Sequence, residues 1–232
     1  MGKAKQGKSD KKAAIEARQL LAKFGVEFPQ DLADKFGEGG AEVYGNTAAD
    51  ALRRLETATE PSDRRGATIA FYRRLDRDLS ASEGPLRVEG ELRQIACRAG
   101  CNYCCAQEVT TIPIEAELVV HYVHNQFSPE EQQALKARVA AYNAQPAGAM
   151  CPLNQNGQCS VYAVRPTPCR AFHSYNVEPC KTIPTGKQLP APVNPQRQAY
   201  TICHTMAFRD AVGQVGLPTE TVRLTDYLAT YL

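Results

Sequence analysis

Cysteine spacing constrains this chain more than any other feature of its sequence. Four thiols lie within nine residues, in the stretch Cys97-Arg98-Ala99-Gly100-Cys101-Asn102-Tyr103-Cys104-Cys105. A second set follows at Cys151, Cys159, Cys169 and Cys180. Thiols this close together are a chemical liability unless they are bound, so we interpret all eight as candidate metal ligands.

Two backbone conformations are compatible with the first set. Gly100 and Asn102 tolerate the left-handed conformation with which a loop can fold around an ion. Positions 97, 101, 104 and 105 also follow the spacing i, i+4, i+7, i+8, so a helix would bury all four thiols as one stripe. Adjacent side chains diverge in an extended backbone, so Cys104 and Cys105 either serve different metals or divide between ligation and packing.

A tight turn is predicted to bring two members of the second set together. Asn156-Gly157 is a strong hairpin signal, and it lies between Cys151 and Cys159. The segment 151–193 is rich in proline and has no sustained period, so thiolates on a metal would be its organiser. Arg165 and Arg170 flank Cys169, where they either donate hydrogen bonds to anionic sulfur or lie on the surface as ordinary arginines.

Other candidate ligands are few. His173, four residues after Cys169, is the one histidine that we keep as a reserve ligand. Cys203 lies on a predicted helix with Ala199 and Met206 on the same side, which favours core packing.

Charge and hydropathy exclude several classes of function. With 27 basic and 25 acidic residues the net charge is only +2, which argues against nucleic acid or a membrane surface as a partner. No apolar run approaches the roughly 20 residues of a membrane span, and no secretory signal is seen. We therefore expect a cytoplasmic protein, in which reduced thiols are ligands rather than disulfides.

Hydrophobic periodicity predicts a mainly α fold, with a few short strands near the loop-rich, metal-binding cysteine region. We expect a flexible basic tail over 1–12, a helical region over 13–80 and a cysteine-cluster domain over 90–232. Glycines 37, 39, 40 and 45 predict a loop, with Asn46 or Thr47 capping the next helix. Residues 80–90 are predicted to be a connector.

Two helices are predicted between the cysteine sets, over residues 113–145. Pro113 opens the first, after a short β-like run at 109–112. Ser128-Pro129-Glu130-Glu131 has the pattern of a capping box and opens the second. Towards the C-terminus, Asn194-Pro195 predicts a helix to about Ala211, and Leu217-Pro218 predicts the start of a last one.

The two cysteine sets together resemble the YkgJ-type cysteine-cluster family, a zinc- or iron-chelating C-x-x-C-x-x-C-C domain. The resemblance covers residues 97–180. Besides the first four cysteines it rests on Cys151-Pro152, Gly157-x-Cys159-x-Val161-Tyr162 and Arg165-Pro166-x-x-Cys169-Arg170. The first gap here has three residues where the family has two.

The resemblance implies a protein that binds zinc or iron, with an iron–sulfur cluster as one form of the cofactor. Some relatives resemble flagellin lysine N-methylases, so an iron–sulfur-dependent protein lysine methyltransferase is an alternative. Whether the chain is an enzyme is left open, and a protein partner or protein substrate is a further alternative to a metal ion alone.

Overall fold

The protein is mainly α, as the sequence predicts. The computed structural model describes residues 15–145, 148–187 and 189–232, so the predicted tail 1–12 lies outside the described residues. The helices are α1 (15–23), α2 (Gln30–Leu55), α3 (Pro61–Ala81), α4 (Pro113–Gln126), α5 (Pro129–Ala144), α6 (Thr167–Ala171), α7 (Val177–Cys180), α8 (Pro195–Gln214) and α9 (Leu224–Tyr231). None of these helices is long and apolar enough to cross a membrane.

Short antiparallel strand pairs join loops to one another. The pairs are β1 (Leu86–Val88) with β2 (Glu91–Arg93), β3 (Thr110–Thr111) with β6 (Val222–Arg223), and β4 (Asn154–Gln155) with β5 (Gln158–Cys159). The connector predicted at 80–90 is wrong in part, because β1 lies within it. Glu89 and Gly90 both have positive φ, 52° and 85°, and so form the tight turn that pairs β1 with β2.

The chain divides into two compact units. The first unit comprises residues 1–75 and 199–219, and the second comprises 76–198 and 220–232. The eight candidate ligands all belong to the second unit. Helices α3 and α8 each contribute residues to both units.

The first unit has a core of apolar side chains from α2, α3 and α8. Phe71 and Phe208 stack face to face with ring centroids 4.1 Å apart. The predicted glycine loop is wrong: α2 continues through that segment, with a kink at Gly37, where φ is 60°. Gly40 is needed for close packing, since a Cβ there would lie 2.5 Å from the Cβ of Phe36. Thr47 is likewise inside the helix and does not cap it.

The second unit is built on the predicted helices α4 and α5. Pro113 opens α4, and Ser128 opens α5 with both bonds of the capping box, confirming the two predictions. Helix α9 packs against both. The predicted start of a last helix at Leu217 is wrong, because α9 begins only at Leu224, after β6 has paired with β3.

A buried carboxylate joins α4 to the segment that carries Cys169. Glu115 is 4% exposed. It accepts hydrogen bonds from the Thr111 hydroxyl at 2.5 Å, the Thr167 hydroxyl at 2.6 Å and the Thr167 N–H at 2.9 Å. Thr167 is the first residue of α6, two residues before Cys169. The helical insertion therefore positions a candidate ligand.

Removal of this carboxylate should destabilise the second unit. Glu115→Ala leaves three buried donors without their acceptor, and we expect a loss of about 3 kcal/mol in the free energy of unfolding. Glu115→Gln keeps a carbonyl oxygen for Thr167 and should cost only about 1 kcal/mol. Chemical denaturation followed by circular dichroism measures both. Equal losses in the two variants would contradict the role assigned to the carboxylate.

Candidate metal centre

The first cysteine stretch is a loop that ends in one turn of 3₁₀-helix. Residues 97–102 have no helical structure, and the 3₁₀ turn spans Tyr103–Ala106. Gly100 has a φ of +83°, and the Cys101 N–H bonds to the Arg98 carbonyl at 2.9 Å. The alternative of one α-helix with a cysteine stripe is therefore wrong, and the folded loop is confirmed.

The predicted hairpin in the second set is confirmed. Asn156 and Gly157 have positive φ of 51° and 80°, and they connect β4 to β5. At the start of the hairpin, the Cys151 carbonyl accepts a hydrogen bond from the Asn154 N–H at 2.8 Å. Cys159 pairs with Asn154 across the strands. Both cysteines are thus placed at the same, open end of the hairpin.

One backbone hydrogen bond joins the two cysteine sets. The Cys151 N–H donates to the Cys105 carbonyl at 2.7 Å. The same segment is tied to α5, because Arg138 Nε donates to the Pro152 carbonyl at 3.0 Å. Cys169 is delivered by α6, whose N-cap residue is Pro166.

The electrostatic interactions define a group that we call the hairpin thiols, namely Cys105, Cys151, Cys159 and Cys169. Burial, followed by the nearby Cys105 and Cys159 thiols, raises the pKa of Cys151 to about 12. Burial, followed by Cys151, Cys159 and Cys105, raises the pKa of Cys169 far above its usual range. Burial and then Cys105 raise the pKa of Cys159. Each of these thiols therefore lies within the electrostatic reach of others in the group.

Cys105 is the one hairpin thiol whose pKa is lowered. A hydrogen bond from the Cys104 thiol is the largest cause, and a hydrogen bond with Asn154 and the charge of Arg165 add to it, which brings the pKa to about 6. The pKa of Cys104 is raised correspondingly, because its proton is held between the two sulfurs and because it is buried. Cys105 is thus the group's most readily formed thiolate.

Three further cysteines form a separate group, which we call the loop thiols: Cys97, Cys101 and Cys180. Burial raises the pKa of Cys97, and Cys101 and Cys180 raise it further, while the Ser174 N–H opposes the rise. Burial and Cys101 also raise the pKa of Cys180. The segment is anchored by the Ala96 N–H, which donates to the Ser174 carbonyl at 2.8 Å.

Cys104 adjoins both groups. Its pKa is raised by Cys105 and Cys169 among the hairpin thiols and by Cys97 among the loop thiols. Within the described ranges, no set of three or more cysteine, histidine, aspartate or glutamate side chains is close enough to enclose an ion. The eight thiols fit zinc or iron in donor type and number. Their sulfur atoms lie farther apart than those of a site closed around an ion.

The two arginines beside Cys169 have different roles. Arg170 is buried, and its guanidinium donates to Asp76 Oδ2 at 2.6 Å and to the carbonyls of Arg165 and Ala163 at 2.7 and 2.6 Å. Arg165 instead lowers the pKa values of Cys105, Cys159 and Cys169 by its charge. Arg165 fits the predicted role of a counter-charge, and Arg170 fits that of a backbone tether.

His173 does not fit the role of a reserve ligand. Its Nδ1 lies 3.0 Å from the Ala171 carbonyl, and its Nε2 accepts a hydrogen bond from the Asn194 N–H at 2.8 Å. Both ring nitrogens are therefore used by the backbone in the neutral form, and burial lowers the pKa of the imidazole. Cys203 is fully buried in the first unit, as predicted for a core residue.

Three residues that support the cysteines were not found from the sequence. Glu115 lies in the first turn of α4, where its position in the sequence gives no sign of its partner Thr167, 52 positions away. Asn154 and Ser174 have no spacing signal of their own, since they reach the thiols only through the folded loops. Asn102, close to the hairpin tip, is 3.7 Å from where a Cβ of Gly157 would lie.

Comparison with known proteins identifies the cysteine region alone. No curated protein and no solved structure matches the chain. Residues 96–188 match the family model CxxCxxCC, described as a "putative zinc- or iron-chelating domain". This range contains both cysteine sets and leaves α1, α2, α3, α8 and α9 outside the match. The predicted resemblance to this cysteine-cluster family is thereby confirmed for residues 96–188.

Proposed function

We propose that this chain binds two metal centres, zinc or iron, on two sets of four cysteine thiolates. The hairpin thiols would hold one centre. The loop thiols, completed by Cys104, would hold the other. Either set of thiolates could bind an iron–sulfur cluster in place of a single metal ion, because cysteine ligates such clusters as readily as it ligates zinc.

The observation that carries this proposal is the electrostatic grouping of Cys105 with three cysteines that follow it by 46 to 64 positions. Cys104, its neighbour, interacts with Cys97 in the other group. Division of the adjacent pair leaves four thiols for each centre. Four is the ligand number of structural zinc and of the common iron–sulfur clusters.

The chain's own residues prepare the hairpin thiols for a cation. Cys105 supplies a thiolate near neutral pH, while the Cys104 thiol and Asn154 stabilise it by hydrogen bonds. Arg165 offsets part of the negative charge that four thiolates would accumulate. A bound metal would supply cross-links for a proline-rich segment that has only short helices and two-residue strands. Such a role suits the reduced thiols of a cytoplasmic protein, which is the compartment that we propose.

Metal analysis tests the stoichiometry directly. Protein purified without oxygen should contain about two zinc ions per chain, or iron with sulfide and a broad absorption near about 400 nm. Removal of the metal with a chelator should lower the midpoint of thermal unfolding. A metal-free protein with an unchanged unfolding midpoint would overturn the proposal.

The adjacent cysteines provide a matched pair of variants. We expect Cys105→Ser and Cys104→Ser each to lose about half of the bound metal, because each removes one ligand of a different centre. In Cys105→Ser, limited proteolysis should produce new cuts around residues 151–169. In Cys104→Ser, new cuts should instead fall around 97–101 and 174–180.

Cys203→Ser is the control for these variants. Because Cys203 lies in the first unit, its substitution should leave the metal content unchanged. Identical cleavage patterns in Cys104→Ser and Cys105→Ser would contradict the division of the pair between two centres.

Metal binding should release protons. The raised pKa values of Cys151, Cys159 and Cys169 keep these thiols protonated near neutral pH, whereas ligation requires thiolates. We therefore expect about three protons to leave for each ion bound to the hairpin thiols, and the affinity to rise steeply from about pH 6 to about pH 8. Calorimetric titration in buffers of different ionisation enthalpy counts the protons. An affinity that did not change with pH would contradict this ionisation state.

A further inference from the structure

A cavity in the second unit has no cysteine in its wall, and of its lining residues only Arg165 also has a part in the proposed function. Its volume is about 370 Å³, and it lies between the last turns of α3, the 3₁₀ turn at Tyr162–Val164 and the first turn of α8. All of its lining residues fall within 76–198. Its size is at the lower end of the range found for small-molecule sites.

The charged residues of the cavity wall have an excess of one positive charge. The five are Arg165, Arg170, Arg197, Asp76 and Glu83. Arg170 pairs with Asp76 at 2.6 Å, and Arg197 pairs with Glu83 at 2.7 Å. The side chains of these two arginines are only 5% and 9% exposed, whereas those of their acidic partners are 49% and 46% exposed. Since water screens the carboxylates more than the guanidinium groups, the interior of the cavity favours an anion.

Arg165 is the third cation, and it has unused hydrogen-bonding capacity. Its guanidinium lies over the ring of Tyr162, 3.9 Å from the centroid. Its Nε is buried and makes no hydrogen bond within the described part of the chain. Burial of a donor without an acceptor is unfavourable, and an oxygen acceptor on a ligand would remove that cost.

The wall is held in place before any ligand arrives. Arg170 Nε donates to the Arg165 carbonyl at 2.7 Å, and Arg170 Nη2 donates to the Ala163 carbonyl at 2.6 Å. Arg197 Nη2 lies 3.4 Å from the Arg170 carbonyl. A ligand would therefore meet side chains that are already ordered, which reduces the entropic cost of binding.

We propose that this cavity binds a small oxyanion, a carboxylate or a phosphate, and that Arg165 is its main contact. A planar guanidinium matches two oxygen acceptors of either group. The volume leaves room for a small organic molecule attached to the anionic group, with Leu79 as an apolar part of the wall. The site needs no metal and goes beyond the function proposed above.

Calorimetric titration of the full-length, metal-analysed chain tests this site. The probes are inorganic phosphate and succinate, at constant ionic strength with chloride as the reference anion. We expect one saturable site per chain for at least one of the two probes, and the stronger of them identifies the anionic group. Arg165→Gln should weaken that binding about tenfold or more, because it removes a charge-assisted contact.

Two further variants complete the test. Tyr162→Ala removes the aromatic ring under Arg165. Because Tyr162 is 61% exposed, this variant should fold normally, and it should bind the probe severalfold more weakly. Arg209→Gln is the control, since Arg209 is exposed and belongs to the first unit. The site would be overturned if neither probe bound saturably, or if wild type and Arg165→Gln bound the probe with equal affinity. The metal content of each sample is a separate readout, so this failure would be distinguished from a failure of the metal proposal.

Discussion

The hydrogen bond from the Cys151 N–H to the Cys105 carbonyl joins the two cysteine sets of the second unit. The two residues are separated by the whole helical insertion, α4 and α5, yet their backbones meet at 2.7 Å. The bond brings the first cysteine stretch against the hairpin, and it makes one group out of thiols from both sets. Without it, the two sets would be separate loops, and Cys105 would not be held beside the thiols of the hairpin.

The helical insertion supports this contact from both of its ends. Glu115 at the start of α4 holds Thr167, which begins the turn that carries Cys169. Arg138 on α5 holds the Pro152 carbonyl beside Cys151. The thiols are thus positioned by buried and partly buried hydrogen bonds to rigid helices. A loop-rich segment needs such supports to preorganise a site, whether or not a metal is added.

Local signals in the sequence were sufficient for much of the fold. The capping box at Ser128 and the turn at Asn156-Gly157 work through atoms a few residues apart, so both predictions are confirmed. Gly40 contributed to the wrong prediction of a loop, because the sequence does not distinguish a glycine that permits close packing inside a helix from one that permits a turn. The helix start predicted at Leu217-Pro218 was wrong as well, since β6 pairs with the distant β3 and α9 begins only at Leu224.

The site was predictable only as a set of cysteines. Spacing identified the eight thiols as candidates, and the division of Cys104 and Cys105 was one of two alternatives. Their separation into hairpin thiols and loop thiols depends on contacts between segments far apart in the chain, as does the role of Ser174 near Cys97. The different partners of Arg165 and Arg170 were unpredictable for the same reason, because Asp76 lies 94 positions from Arg170 in the chain.

The discontinuous first unit has a consequence for the order in which the chain folds during synthesis. Phe208 stacks on Phe71 and Asp210 accepts a hydrogen bond from Tyr44, so this core is incomplete until α8 has been made. Every residue from 76 to 198 leaves the ribosome before then, at about 5–20 residues per second. The cysteine region therefore emerges while the helices encoded before it still expose apolar surface.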